Sequence, residues 1–308
     1  MGVKVVNLVK RYGKLIVLDH LSLEAQEGEV FGLFGTNGSG KTTLLSCLLG
    51  ILKYDKGEIT IDGERLLSGS VDLKRRIGYV PQEIAVLNEL TVYENIEYFC
   101  GLYIKDRNQR RVLAQTAAGL CGLENAGEVY PAKLNHSFLR RLNMACGIVH
   151  RPRLLVVDEP VLGVDSLTKE ILLNVMRTLN RQGTMVLYAS NDIEELAHFC
   201  SRMAILFKGK VVLTASEEEL KALAGEEEKV VIQVFKITAE VIEEIEKMPG
   251  VGYVNCFNNE ITIKSEKGRN NLAQILHFFE EKELPFGKIY AEVPTLKDAY
   301  LKITGEEI

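Results

Sequence analysis

The chain has 308 residues, 46% hydrophobic and 26% charged, which leaves room for about two domains at ~150 residues each and excludes disordered, collagen-like and low-complexity classes. Lys and Arg number 37 and Asp and Glu 42; residues 1–220 balance at 26 of each, so the net charge of −5 lies wholly in residues 221–308. A nucleic-acid binder would carry a basic surplus, so no nucleic-acid partner is expected.

An alternating strand, Val3–Leu8, and an apolar run, Leu15–Leu23, lead to a turn at Glu27-Gly28-Glu29. A short apolar strand, Val30–Phe34, runs into a glycine-rich loop. Thr42–Leu49 reads as a helix that Gly50 ends. Residues 56–66 read as strand, turn at Asp62-Gly63, and strand. From about 91 to 150 helical spacing dominates, with breaks near Gly122 and Pro131. Then follow strand Leu154–Val157, helix 166–182, strand Thr184–Ala189, helix 192–200 and strand Met203–Leu206. This alternation predicts an α/β fold with a mainly parallel sheet covered by helices.

A composition shift at Ala224-Gly225-Glu226-Glu227-Glu228-Lys229 separates domain 1–223 from domain 224–308. The second reads as strand 230–236, helix 239–248, strand 251–257, strand 260–265, helix 269–283, strand 286–292 and a last helix from about Thr295. The first six elements spell βαββαβ, the ferredoxin-like order, so a small α+β domain is expected.

No run of about 18 apolar residues offers a membrane span. Met1–Asn7 lacks the apolar core of a signal peptide, and position 6 lacks the Ser or Thr of a myristoylation site. The chain is expected in the cytosol. Cys47, Cys100, Cys121, Cys146, Cys200 and Cys256 form no Cys-x-x-Cys pair and read as reduced core thiols. The five histidines show no i, i+4 pair, so no zinc site is expected.

Chemistry enters at Gly35-Thr36-Asn37-Gly38-Ser39-Gly40-Lys41-Thr42, which fits G-x-x-x-x-G-K-[ST] between a strand and a helix. The glycines let backbone N–H groups turn toward an anion, and the helix N-terminus adds positive potential. Lys41 can reach β- and γ-phosphates, and the Thr42 hydroxyl can ligate Mg²⁺. A second element, Leu154-Leu155-Val156-Val157-Asp158-Glu159-Pro160, delivers two carboxylates at a strand's C-terminal end. Asp158 would belong to the Mg²⁺ shell, and Glu159 would orient or deprotonate an attacking water.

Together these segments resemble the ATP-binding subunit of an ABC transporter, over essentially residues 3–215. Tyr12 resembles the aromatic residue that stacks on adenine, and no Asn-Lys-x-Asp guanine-reading motif occurs. Gln82 in Ile77-Gly78-Tyr79-Val80-Pro81-Gln82 resembles the Q-loop, which senses Mg²⁺ and the membrane partner. Leu90–Ile96 continues the match into a helical subdomain at about 91–150, and Gly163-Val164-Asp165 resembles the D-loop. The segment Val293–Gly305 is similar to the close of drug-exporter ATPases of the daunorubicin-resistance type, which also carry a small α/β domain after the core.

The resemblance implies a P-loop ATPase core with ATP and Mg²⁺ as cofactors. It places ATP on Tyr12, Gly35, Asn37, Gly38, Ser39, Gly40, Lys41, Thr42 and Thr43, and Mg²⁺ on Thr42, Gln82 and Asp158. Catalysis falls to Glu159 with Gln82 and Asn191. ATP would be sandwiched between two subunits, the phosphate loop of one facing the signature of the other. A separate transmembrane permease chain is implied, with this chain peripheral on the inner face of the cell membrane.

Two departures from the family pattern stand out. Where a Leu-Ser-Gly-Gly-Gln-like signature is expected, the chain reads Leu134-Asn135-His136-Ser137-Phe138. Asn135 could still cap a helix, but His136 and Ser137 replace both glycines and would obstruct close approach to a γ-phosphate. His136 could contact phosphate, fill the lost glycine's space or face solvent. Positions 138, 142, 145 and 149 keep the following helix amphipathic. Asn191 stands where the switch histidine is expected; it can hydrogen-bond but carries no charge, and it could serve simply as a helix N-cap. Slow hydrolysis is therefore expected, with a non-catalytic nucleotide-sensing subunit as the competing reading. An asymmetric pair with a different ATPase chain is favoured over a homodimer, and domain 224–308 is assigned to dimer contact or regulation.

Overall fold

The computed structural model describes every residue except Ser68, 226–228, Lys236, Asn258, 266–270, Val293 and Ile308. The centre of the composition shift at 226–228, the last residue of the expected strand 230–236, the start of the expected helix 269–283 and Val293 of the closing segment lie outside the described residues. The chain divides into two units, Met1–Glu217 and Glu218–Ile308.

In chain order the first unit has strands β1 (Val3–Tyr12), β2 (Leu15–Ala25) and β3 (Val30–Phe34), then helix α1 (Lys41–Leu48). Strands β4 (Lys56–Ile61) and β5 (Glu64–Arg65), helix α2 (Val71–Lys74) and strand β6 (Ile77–Val80) follow. Helices α3 (Val92–Gly101), α4 (Arg107–Leu120) and α5 (His136–Ile148) precede strand β7 (Leu154–Asp158). Helix α6 (Ser166–Arg181), strand β8 (Met185–Ser190), helix α7 (Ile193–Phe199) and strands β9 (Arg202–Phe207) and β10 (Lys210–Ala215) complete it, and α8 (Glu217–Ala224) spans the division.

Two sheets form here, where the alternation pattern predicts one mainly parallel sheet. The opening strands make an antiparallel sheet in the order β2-β1-β4-β5. Their half-buried alternation suits it: Val3 and Val5 are buried, Lys4 and Val6 exposed. The second sheet runs β10-β9-β3-β8-β7-β6, parallel except for β10. Strands β3, β7 and β8 are buried at every position, as parallel strands covered on both faces are. Strand β6 was hidden from a periodicity reading because only four residues long, and Gly78 and Tyr79 interrupt its apolar run.

In register, Phe34 lies beside Ser190 and Asp158 beside Ala189, so the C-terminal ends of β3, β7 and β8 open on one rim. This is where a parallel sheet places ligands. The helices of residues 92–148 begin at side-chain caps, since first-turn N–H groups need acceptors. Thr91 and Glu94 form a reciprocal capping box on α3, while Asp106 caps α4 and Asn135 caps α5. Leu142, Ala145 and the C-cap Val149 of α5 are buried and Phe138 half-buried, as the apolar spacing suggests, but the burial extends beyond that stripe. Arg140, Arg141 and Asn143 are buried along with Leu142 and Ala145. Among the described residues no helix is long and apolar enough to cross a membrane. All six cysteines are free; five are buried and Cys256 is half-buried.

The second unit has β11 (Lys229–Val234), α9 (Ala239–Glu246), β12 (Val251–Phe257), β13 (Glu260–Ser265), α10 (Leu272–Glu281), β14 (Phe286–Glu292) and α11 (Leu296–Thr304). Its sheet is antiparallel in the order β12-β13-β11-β14, the pairing a split βαβ arrangement gives. Val230, Ile232, Val234, Ile261 and Ile263 pack against Ile245, Ile275 and Phe279. The sequence reading put the division at 223/224; the structure puts it before α8's second residue. Lys302 Nζ donates to the Ala224 carbonyl at 2.6 Å, which ties the end of α8 to α11.

Candidate functional site

The loop after β3 is shaped by close approach. A Cβ on Gly35 would lie 2.3 Å from Ser39 Oγ and 2.9 Å from the Leu206 carbonyl; on Gly40 it would lie 2.9 Å from Leu18 Cδ2. Gly38 and Gly40 also adopt φ of +81° and +109°, a region side chains avoid. Gly40 is the N-cap of α1. The backbone N–H groups of Gly38, Gly40, Lys41 and Thr42 meet no acceptor among the described residues. Several donors at one helix N-terminus are thus left without acceptors, and such a run of unengaged N–H groups is the arrangement that binds phosphate. Ser39 Oγ is buried there without a partner. Asn37 and Thr42 are exposed and Thr43 half-buried.

Beside this loop, β7 supplies the two carboxylates. Lys41 Nζ donates to the Gly35 carbonyl at 2.6 Å and lies 3.3 Å from Glu159 Oε1, both side chains being almost fully buried. The Thr42 hydroxyl donates to Asp158 Oδ2 at 2.9 Å, while Asp158 Oδ1 is buried and unpartnered. Burial pushes the Asp158 carboxyl up, and Glu159 adds to this; the Thr42 bond and Lys41 work the other way. Burial likewise pushes Tyr79 up to about 12, with Asp158 contributing. Glu159 holds φ of +46° and donates its N–H to the Ala189 carbonyl at 2.9 Å. A glutamate in that region is strained, which a rigid surround such as β8 must enforce.

This donor set fits a hard divalent cation. Hydroxyl and carboxylate oxygens suit Mg²⁺, which takes one or two protein ligands and completes its shell with water and phosphate oxygens. The orphaned Asp158 Oδ1 is the atom such an ion would satisfy. Among the described residues no three His, Cys, Asp or Glu side chains form a metal cage.

The remaining residues singled out from the sequence stand in looser settings. Tyr12 ends β1, 51% exposed, with Lys10 Nζ 5.1 Å from its ring centroid. Gln82 is half-buried just beyond β6 and accepts at its carbonyl from Arg140 Nη1. Asn135 accepts from the Phe138 N–H at 2.9 Å as the cap of α5. His136 is exposed, with Cε1 3.8 Å from where a Gly163 Cβ would stand. The Ser137 hydroxyl donates to Asp165, which also accepts from the Thr168 N–H and caps α6. The Ser137 bond, then the Thr168 N–H, holds Asp165 down at about 2. Asn191 is half-buried and its side chain makes no hydrogen bond among the described residues. It is not the N-cap of α7: Asp192 is, accepting from the Glu195 N–H at 3.1 Å.

Three residues of this neighbourhood escaped the sequence reading. Glu195, just after Asn191, accepts from Tyr188 and Ser190 and pairs with Lys169 Nζ at 2.5 Å. Arg140 is 7% exposed, with its guanidinium pulled down by burial and opposed by the nearby Glu159 carboxylate. Asn143 is buried at 3%. For the two on α5, the adjacent arginines 140 and 141 in an otherwise apolar-spaced helix are the sequence signal.

A family profile described as ABC transporter matches residues 18–162. The linearmycin resistance ATP-binding protein LnrL of Bacillus subtilis (strain 168) is 27% identical over 304 residues, 98% of each chain. The Nod factor export ATP-binding protein I of Burkholderia thailandensis is 34% identical over 211 residues, 68% of this chain and 69% of that protein. Among solved structures, the ATP-binding cassette MJ0796, as a dimer in a post-hydrolysis state with ADP and phosphate, superposes with a TM-score of 0.65. That match has 27% identity and covers 70% of this chain and 98% of that one.

Proposed function

Because the chain belongs to the ABC transporter family, as an ATP-binding subunit, we propose that it energises a membrane exporter by binding Mg-ATP and hydrolysing it slowly. The observation that carries this is the convergence of Lys41, Thr42, Asp158 and Glu159 on one phosphate-shaped loop. Lys41 and the N–H groups of Gly38, Gly40, Lys41 and Thr42 would hold the β- and γ-phosphates, and the exposed ring of Tyr12 would stack on adenine. Thr42, Asp158 and Gln82 would hold Mg²⁺, which supplies positive charge against the phosphate oxygens. Glu159 would orient and deprotonate the attacking water, with Asn191 as a neutral hydrogen-bonding group in place of a charged one.

The permease would be a separate chain on whose cytoplasmic face this subunit sits, and ATP would close it against a second ATPase subunit. The relatives' names, resistance and export proteins, support an export role. A different chain as that second subunit is favoured by where the substitutions fall. His136, Ser137 and Asn191 lie outside the phosphate loop, whose residues are untouched. The second unit, about 224–308, would serve dimer contact or regulation.

Purified chain should bind Mg-ATP, and Lys41→Ala should abolish that binding; undiminished binding would remove the basis of this reading. A nucleotide sensor that does not turn over is the second reading, favoured by the uncharged Asn191, whose side chain has no hydrogen bond among the described residues, and by Ser137 being engaged with Asp165. Phosphate release, alone and with the partner, separates them: rates indifferent to Glu159→Gln in both settings would favour the sensor.

A further inference from the structure

Helix α5 carries a stripe that the site described above does not use. Arg140, Asn143 and Gly147 follow at spacings of three and four, which puts them on one helical face. At Gly147 the backbones touch: a Cβ there would lie 2.6 Å from Val80 Cγ2 and 2.8 Å from the Tyr79 carbonyl. One turn earlier Asn143 Nδ2 donates to the Pro81 carbonyl at 3.0 Å and its Oδ1 accepts from the Ala85 N–H at 3.1 Å. One turn earlier again Arg140 Nη1 donates to the Gln82 carbonyl. The strand β6 and the loop Pro81–Ala85 are thus pinned to α5 along its length.

The polar pair is costly where it sits. Both side chains are buried, Arg140 with its Nε unpartnered, and burial of a guanidinium is unfavourable unless it is well bonded. Their recorded hydrogen bonds all go to the main chain of this one loop. Main-chain bonds fix where a loop lies without consuming its side chains, so the Gln82 carboxamide stays available. The negative charge of Glu159, the residue after β7, favours the charged form of Arg140 against its burial.

We propose that Arg140 and Asn143 are positioning residues that clamp the Gln82 loop to α5 and so set how readily the site takes up Mg²⁺ with ATP. The proposal rests on the Mg-ATP reading given above. It makes Gln82 follow the start of α5, where His136 and Ser137 lie, rather than move as a free loop.

The test is ATP binding by the full-length chain, titrated with Mg²⁺ and repeated in chelator, for wild type, Arg140→Gln, Arg140→Lys and Asn143→Ala. Removing a residue that orients a metal ligand commonly weakens metal uptake about 10- to 100-fold. The Mg²⁺ needed for half-maximal binding should therefore rise about tenfold in Arg140→Gln and Asn143→Ala. Metal-free ATP affinity should be unchanged, and Arg140→Lys should recover part of the loss. An unchanged Mg²⁺ requirement in the folded variants would overturn the clamp. So would an equal loss of binding with and without metal, which a merely structural role gives. Should Arg140→Gln not fold, Asn143→Ala decides by the same criterion. A wild-type chain that binds no ATP would instead overturn the nucleotide reading, and this proposal with it.

Discussion

At the loop after β3, Gly35 lies against Ser39 and Leu206, Gly40 against Leu18, and Lys41 between Gly35 and Glu159. At the start of α5 and the end of β8 the setting is different: His136 is exposed, Ser137 bonds Asp165, and the Asn191 side chain has no hydrogen bond among the described residues. The first region is tightly constrained at Gly35, Gly40 and Lys41, whose buried neighbours cannot shift cheaply. The second holds its side chains at exposed or half-buried positions, where a substitution typically costs the fold little. The comparison teaches that Gly35, Gly40, Lys41 and Asp158, which keep the pattern, are tied to buried neighbours of their own chain, while the replaced His136, Ser137 and Asn191 stand at exposed or half-buried positions.

Gly35→Ala should break the first region hardest. A methyl group 2.3 Å from Ser39 Oγ must displace it, and overpacking of that kind costs about 1–3 kcal/mol, or about tenfold to a hundredfold in ATP affinity if the loop bears the cost. His136→Gly with Ser137→Gly should leave the lone chain's ATP affinity unchanged. Equal losses in calorimetric titrations of the two proteins would erase the distinction.

Asn191→His should raise turnover at this chain's own site, on the order of the 10²-fold that one charge-stabilising contact supplies elsewhere. The double glycine variant should raise turnover at the partner's site instead. Brisk hydrolysis by the chain alone, indifferent to all three changes, would sink the asymmetric pair.

Asp158→Asn should sharpen the contrast by stabilising the nucleotide-free protein. Burial raises the Asp158 pKa above its ordinary 3.8, so the folded state holds its proton more tightly than the unfolded one. The carboxylate's contribution then falls as pH rises from about 3.8 through the raised value, and stays unfavourable at neutral pH. Thermal midpoints at pH 7 should be a few degrees higher in the variant, for a gain of about 1 kcal/mol, with the gap closing toward acid. A lower midpoint at pH 7 would refute this.

The smallest effect belongs to Ser137→Ala. Loss of the hydroxyl removes the largest influence holding Asp165 near 2, so its titration, followed by carboxyl NMR, should move up toward 3.8. An unmoved titration would mean that the Thr168 N–H alone sets it.

The phosphate loop and the acidic pair were legible because their chemistry is local. Eight consecutive residues specify the turn from β3 into α1, and one fully apolar strand aims Asp158 and Glu159 at its end. The caps of α4, α5 and α6 are local in the same way: an Asp or Asn sits just before each helix. The cap of α7 was misplaced by one residue, since Asn191 and Asp192 are both capable and only the bond to the Glu195 N–H chooses between them. The separate antiparallel sheet, the four-residue β6 and the burial of Arg140 and Asn143 were not legible. Strand order is settled by which edges meet, and a polar residue is buried only because another element covers it. Arg140 and the Gln82 carbonyl lie 58 positions apart, and Ser137 and Asp165 lie 28 apart. No periodicity spans such distances. The sequence by itself determined the turn after β3 and the acidic pair at the end of β7, because both are local; the packing of α5 on β6 decided where the Gln82 main chain lies, because Arg140 and Asn143 bond it only once α5 covers it.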